Sequence, residues 1–344
     1  MQFQFNSEQA HQKQAVDAIV QLFKGQRPEK ARYKNHIPQG YQTTLLPDYY
    51  VANQLKLAPE TLLHSVQKIQ GDNKLPLSRS LTSPYSFTIE METGTGKTYT
   101  YLRTIYELHT TYGFSKFIII VPSIAIREGV MKNIRLTHAH FQSLYNAPRV
   151  EATLYQSKNL SALRQFATNP RLQLLVMNIQ AFEKAGNIIN TKREQGFKPL
   201  EYLKVTKPIL ILDEPQKMGT EKRENALRSL NPSFILRYSA THKKLQNLVY
   251  RLDPVQAYEK GLVKKIEVLD ILDKDNQNTP FIRLKEIKAT KTTLQAIIEL
   301  QVATAKGIQK KRRSVRRTQN LYTISGELEA YKESYILEKI DRAN

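Results

Sequence analysis

The chain has 344 residues, with 52 Lys and Arg against 31 Asp and Glu, a formal net charge of +21, and no cysteine. The missing cysteines exclude disulfides, thiolate zinc sites and a cysteine nucleophile, and the positive excess predicts a polyanionic partner such as nucleic acid. Forty per cent hydrophobic residues is enough for one large or two ordinary cores, and the longest clean aliphatic run, Phe117 to Val121, is far too short for a bilayer. The first residues, Met1-Gln-Phe-Gln-Phe-Asn-Ser-Glu8, lack the basic and apolar regions of a signal peptide, so the expected location is cytoplasmic.

Residues 8–24 carry Ala15, Ile19, Leu22 and Phe23 near helical spacing, which predicts a helix. Residues 26–84 are rich in Pro, Gln, Asn and Ser and predict a loop-rich insertion, with one helix at about 58–70. Tyr85 to Met91 then reads as a buried strand, and Tyr99 to Leu108 as a helix. Between them stands Glu92-Thr93-Gly94-Thr95-Gly96-Lys97-Thr98, the strand–loop–helix context of a phosphate-binding loop. Two glycines let backbone N–H groups close around phosphate oxygens at a helix N-terminus, which already favours anions. Lys97 is expected to reach the β- and γ-phosphates of ATP, and the Thr98 hydroxyl to hold Mg²⁺. Met91 occupies the first position of the pattern, where a small residue is usual, so a tight loop entrance is expected.

Three further apolar strands follow, at Phe117–Val121, Leu172–Asn178 and Ile209–Leu212, with a lysine-rich surface loop expected at 186–207. The first runs into Pro122-Ser123 and a helix carrying Arg127, where Ser123 and backbone amides could hold a strand phosphate. The third is capped by Asp213-Glu214-Pro215-Gln216. Phosphate hydrolysis needs one carboxylate near Mg²⁺ and one group that orients the attacking water, and Asp213 and Glu214 supply both. A fifth strand, Phe234 onwards, ends in Ser239-Ala240-Thr241. Five strands with intervening helices predict an α/β fold, a doubly wound parallel sheet of the RecA-like type over residues 1–250. Residues 251–344 are expected to form a linker and a partial C-terminal α+β segment. It would contain a strand at Ile266–Leu272, a β-rich stretch to about 290, and a helix at 292–317. That helix would end in the cluster Lys310, Lys311, Arg312, Arg313, Arg316 and Arg317, which suits phosphate contacts.

Together the phosphate loop, Val121-Pro-Ser-Ile-Ala-Ile-Arg127, Asp213-Glu-Pro-Gln216 and Tyr238-Ser-Ala-Thr-His242 resemble the Res subunit of type III restriction-modification enzymes. Leu252-Asp-Pro-Val-Gln-Ala-Tyr258 and Asn320-Leu-Tyr-Thr-Ile-Ser-Gly326 are similar to later stretches of that family. The resemblance implies an ATP-driven translocating subunit that acts on double-stranded DNA with a DNA-methylating Mod subunit. It implies that Gln12, in His11-Gln-Lys-Gln-Ala-Val16, reads the adenine edge, an edge that suits an amide able to donate and accept at once. It also implies that Ser239 and Thr241 couple nucleotide state to DNA state, and that Gln216 belongs to the catalytic group.

The family further implies a second RecA-like lobe and a nuclease. The stretch after Thr241 is too short for both, so a truncated gene product or a split subunit is expected. Two other readings stay open: a nucleotide- and DNA-binding assembly piece without useful turnover, and an RNA helicase lobe of the DEAD type.

Overall fold

The computed structural model describes residues 5–28, 33–34, 49–146, 148–192, 198–242, 244–263, 280–289, 294–305 and 307–332. The chain divides into two compact units, Met1–Lys265 and Ile266–Asn344.

The first unit is built on a parallel sheet of seven strands: β1 (Tyr85–Met91), β2 (Lys116–Val121), β3 (Val150–Leu154), β4 (Leu172–Asn178), β5 (Ile209–Asp213), β6 (Phe234–Ser239) and β7 (Leu248–Leu252). Their order across the sheet is β3-β4-β2-β5-β6-β1-β7. The helices are α1 (Ala10–Leu22), α2 (Pro59–Asp72), α3 (Lys97–Tyr112), α4 (Ile124–Leu144), α5 (Leu160–Thr168), α6 (Leu200–Val205), α7 (Glu221–Ser229) and α8 (Pro254–Glu259). The doubly wound sheet expected from the sequence is present, with two more strands, β3 and β7, at its edges.

The central strands are continuous aliphatic runs because both of their faces are covered. Successive side chains point to opposite faces. Phe117, Ile119, Ile209, Ile211 and Leu236 enter one core with residues of α1, α3 and α4. Ile118, Ile120, Leu210, Leu212 and Ile235 enter the other with residues of α5, α6 and α7. Truncating a fully buried residue such as Ile119 to Ala should cost about 2–5 kcal/mol.

The helix expected at 58–70 is α2. Within the surface loop expected at 186–207, residues 200–205 are helical instead, and 193–197 lie outside the described residues. Leu200, Tyr202 and Leu203 are buried, and their spacing folds α6 against the second core. Lys116 is fully buried at the start of β2, and its ammonium donates to the carbonyl oxygens of Phe166 (2.6 Å) and Asn169, closing the end of α5. Burial pulls its pKa down to about 7, while the Glu151 carboxylate acts in the opposite direction.

In the second unit the sequence reading needs correction. The expected helix at 292–317 is two antiparallel strands, β9 (Leu294–Thr304) and β10 (Gly307–Val315), joined to β8 (Ile282–Ala289) in a three-stranded meander. Ala296, Ile298, Leu300 and Val302 alternate into a small core with Val315, Leu321 and Tyr331. The period is two, not 3.6, and the hairpin turns at Gly307, whose φ of +95° suits glycine. Lys310–Arg313 therefore lie along a strand, and Arg316 and Arg317 follow it. The strand expected at Ile266–Leu272 lies outside the described residues.

Candidate nucleotide site

The loop at 92–96 turns the chain from the C-terminal end of β1 into α3, and Gly94 and Gly96 take φ of +84° and +91° to do it. Those left-handed angles are why glycine stands at both positions. A Cβ on Gly96 would lie 2.3 Å from Gln12 Nε2, so α1 closes directly over the loop. Gln12 is buried, and its amide donates to the Thr95 carbonyl oxygen at 3.1 Å. His11 Nε2 reaches the same oxygen at 2.9 Å, a partner the sequence reading missed. Thr95 Oγ1 donates to the Glu92 carbonyl at 2.6 Å, and the Thr93 N–H donates to the Glu92 carboxylate at 2.7 Å. These bonds fix the loop backbone.

The strand β5, separated from β1 by β6, delivers both acidic groups to the same edge of the sheet. Lys97 Nζ lies 3.5 Å from Glu214 Oε1 and donates to the Met91 carbonyl oxygen at 3.3 Å. Asp213, at the end of β5, is buried and accepts from the Tyr101 hydroxyl at 3.3 Å. Burial, with the Glu214 charge beside it, pushes the Asp213 pKa up to about 6; Lys97 and the tyrosine bond act against that rise. Tyr101 is fully buried one turn along α3 from Lys97, and its hydroxyl also has the Thr98 side chain as a hydrogen-bonding neighbour. Tyr101 carried no recognisable sequence signal, because an aromatic in a helix reads as core.

Glu214 sits at φ +57°, with its N–H bonded to the Tyr238 carbonyl oxygen of β6 at 3.0 Å. The Gln216 amide donates to Glu214 Oε2, and Gln216 Oε1 accepts from the Ser239 hydroxyl at 2.7 Å. Ser239 Oγ in turn accepts the Thr241 N–H at 3.1 Å. Glu214, Gln216, Ser239 and Thr241 thus form one polar chain running from the phosphate loop to the end of β6.

Among the described residues no trio of His, Asp and Glu forms a metal cage. The donor set nevertheless fits Mg²⁺, which takes one or two carboxylates plus substrate phosphates. Asp213 and Thr98 offer hard oxygens around a single tyrosine hydroxyl, beside a loop with both glycines left-handed.

Ser123 caps α4, accepting the Ile126 N–H at 3.4 Å, and Arg127 donates to Glu128 at 2.9 Å. Arg127 lines a groove of about 580 Å³ with Lys158, Tyr155, Asn178 and Gln180, at the crevice ends of β2, β3 and β4. Gln180 donates to the Pro122 carbonyl oxygen at 3.0 Å and ties the ends of β2 and β4 together. The basic residues Lys310–Arg317 belong to the other compact unit.

A doubly wound parallel sheet with a glycine loop opening a helix, and Asp-Glu on a later parallel strand, defines a RecA-like nucleotide-binding lobe. Residues 7–244 match the family described as type III restriction enzyme, res subunit, and the chain belongs to that family. It is 31% identical over 281 residues to the EcoP15I Res subunit of Escherichia coli, covering 74% of this chain and 28% of that protein. It is 31% identical over 291 residues to the EcoPI Res subunit of Escherichia phage P1, covering 77% and 29%. The chain thus spans well under a third of the length of these relatives. A nuclease-deletion mutant of the Type ISP restriction-modification enzyme LlaGI, solved with a DNA substrate mimic, aligns with a TM-score of 0.36 at 14% identity, covering 60% of this chain and 21% of that one. No helix among the described residues is long and apolar enough to cross a membrane.

Proposed function

We propose that this chain is the ATP-binding motor lobe of a type III restriction system, acting on double-stranded DNA together with a DNA-methylating Mod subunit. The observation that carries the reading is the convergence of Lys97, Asp213, Glu214, Gln216 and Ser239 at one edge of the sheet, from the ends of two strands, β5 and β6, and the start of α3. Amides of the 93–97 loop and the Lys97 ammonium hold the β- and γ-phosphates of ATP. Gln12 stands where its amide can turn from Thr95 to an adenine edge. Thr98 and Asp213 hold Mg²⁺, which neutralises charge on the phosphates. Glu214, oriented by Gln216, holds the attacking water. Ser239 and Thr241 carry the state of that carboxylate toward the DNA-facing side, and Ser123 and Arg127 take a strand phosphate.

Charge that builds on the γ-phosphate needs a cation beyond the loop lysine, and an arginine finger is worth about 10³–10⁵ in rate. Lys97 is the cation ion-paired with Glu214 among the described residues. The expected behaviour of residues 1–344 is therefore Mg²⁺-dependent ATP binding and slow hydrolysis that duplex DNA scarcely stimulates. Calorimetric titration with ATP and Mg²⁺, followed by phosphate release with and without duplex DNA, tests it. Absence of ATP binding overturns the nucleotide site. Strong DNA-stimulated turnover shows that a catalytic cation is already in place.

A further inference from the structure

At the far end of β1 from the phosphate loop lies a polar cavity of about 390 Å³ in the first unit. Its floor is Ser86 on β1 and Arg237 on β6, both buried. Five residues separate Ser86 from Met91 at the loop, about 16 Å along an extended strand. Arg237 donates to Ser86 Oγ at 2.7 Å and bidentately to Glu224 of α7 at 2.9 and 2.8 Å. The single carboxylate of the cavity is therefore already neutralised. The wall is the segment before β1, with the hydroxyls of Ser80, Thr82 and Ser83. Two further guanidiniums, Arg79 on that segment and Arg228 on α7, line the cavity and are exposed. Neither has an ion-pair partner among the described residues.

We propose that this cavity is a second oxyanion site that takes the phosphate monoester of a small molecule. Three arginines against one glutamate leave two positive charges, which match a doubly charged monoester. Guanidinium is the side chain best shaped for bidentate contact with phosphate oxygens. The hydroxyl wall supplies neutral donors, while Ile235 and Leu245 give the organic part of the ligand an apolar contact. The volume falls in the range of small-molecule sites, about 300–1,000 Å³. The floor residues Ser86 and Arg237 are buried, which suits a small ligand better than the backbone of a duplex. β6 runs directly from Arg237 to Ser239, so the floor of the cavity and the polar chain of the nucleotide site share one strand.

The test separates this site from the phosphate loop by working in the Lys97→Ala background with inorganic phosphate and ribose 5-phosphate as probes. Calorimetry should find one site on Lys97→Ala protein, tighter for ribose 5-phosphate than for inorganic phosphate. Adding Arg79→Ala and Arg228→Ala should weaken it by about tenfold or more, since each removes a charged hydrogen-bonding group. Both arginines are exposed, so the triple variant should keep the circular dichroism and melting curve of Lys97→Ala. No binding to Lys97→Ala, or binding that is indifferent to the two arginines, overturns the proposal. So does a short unphosphorylated duplex that displaces ribose 5-phosphate, because the cavity would then be reading a nucleic-acid backbone.

Discussion

Lys97 and Glu214 form an ion pair at 3.5 Å, so the loop lysine rests on the carboxylate proposed to hold the attacking water. Nucleotide binding has to move Lys97 from Glu214 and the Met91 carbonyl oxygen to the phosphates. Lys97→Ala should abolish ATP-Mg²⁺ binding and leave the fold intact, because the loop is held by Gln12, Thr95 and Glu92 rather than by the lysine. Equal affinities of variant and wild type in a calorimetric titration would sink the assignment.

Glu214→Gln separates binding from chemistry. Glutamine keeps the shape and can still meet Gln216, but it cannot take a proton from water. ATP affinity should stay close to wild type, while hydrolysis falls by about 10²–10⁴, the usual contribution of a positioned base. Single-turnover phosphate release measures the second quantity. A variant that hydrolyses ATP at the parent rate assigns the water to another residue.

Asp213 gives a pH prediction with a definite sign. Its pKa is about 6 in the folded chain, against an ordinary value of 3.8. The folded state therefore binds more protons than the unfolded state between those values, and stability falls as pH rises through that window. Above pH 6 the ionised, buried carboxylate costs about 3 kcal/mol at most, at about 1.4 kcal/mol per pH unit. Asp213→Asn should therefore be more stable than wild type in urea at pH 7.5, with the gap closing as pH falls toward 4. In wild type, Mg²⁺-dependent nucleotide binding should weaken as pH falls through 6. Parallel stability curves for the two proteins would show that burial does not strain this carboxylate.

Ser239 links the two halves of the site. It is fully buried, donates to Gln216 at 2.7 Å and accepts from the Thr241 N–H at 3.1 Å. Ser239→Ala leaves both groups without that partner and should cost about 1–3 kcal/mol of stability. ATP should still bind, since Ser239 does not touch the loop. Any effect of DNA on nucleotide affinity should vanish, and measuring ATP affinity with and without duplex for both proteins decides it. A DNA effect of the same size in Ser239→Ala removes Ser239 from the coupling path.

The core of the fold was legible because burial on both faces of a parallel sheet forces unbroken aliphatic runs such as Phe117–Val121 and Ile209–Leu212. The edge strands were not. Val150-Glu-Ala-Thr-Leu154 is only half-buried along its length, so its composition is mixed and its pattern weak. The site was legible wherever chemistry demands particular residues, as with Gly94, Gly96, Lys97, Asp213 and Glu214. Tyr101 and His11 were hidden, because each acts through a long-range hydrogen bond, to Asp213 and to the Thr95 carbonyl oxygen, that only the tertiary fold brings about. The misread helix at 292–317 has a different cause. Leu, Gln, Ala, Glu, Lys and Arg are good helix formers, and that composition masked the alternation of Ala296, Ile298, Leu300 and Val302.

That correction changes what the basic cluster can do, and it sharpens the prediction for DNA. On a helix end six cations would fan outward together, whereas the four on β10, Lys310–Arg313, alternate between two faces. Register pairs Arg312 with Glu299 and Lys310 with Gln301 on one face, and Lys311 with Leu300 and Arg313 with Ile298 on the other. The first face adds Lys285 and Lys288 of β8, which line a shallow groove of about 520 Å³ with Glu286, Arg312 and Ser314, and Arg313 borders the same groove. Lys285 is bridged to Glu299 at 3.0 Å, whereas Lys288 is exposed and only loosely paired with Glu286 at 3.9 Å, so Lys288 and Arg312 are the stronger candidates for phosphate contact. Each phosphate neutralised on duplex DNA contributes about 0.9 to the slope of log affinity against log salt. Binding should be weak, sequence-independent and salt-sensitive, and Lys288→Gln with Arg312→Gln should flatten the slope by about 1.8. Lys311→Gln with Arg313→Gln should flatten it by less, because Lys311 shares a face with the small core and of the two only Arg313 borders the groove. Fluorescence anisotropy on one labelled duplex at several salt concentrations reads both slopes. Equal losses for the two pairs would mean that the strand acts as a diffuse positive field with no preferred face.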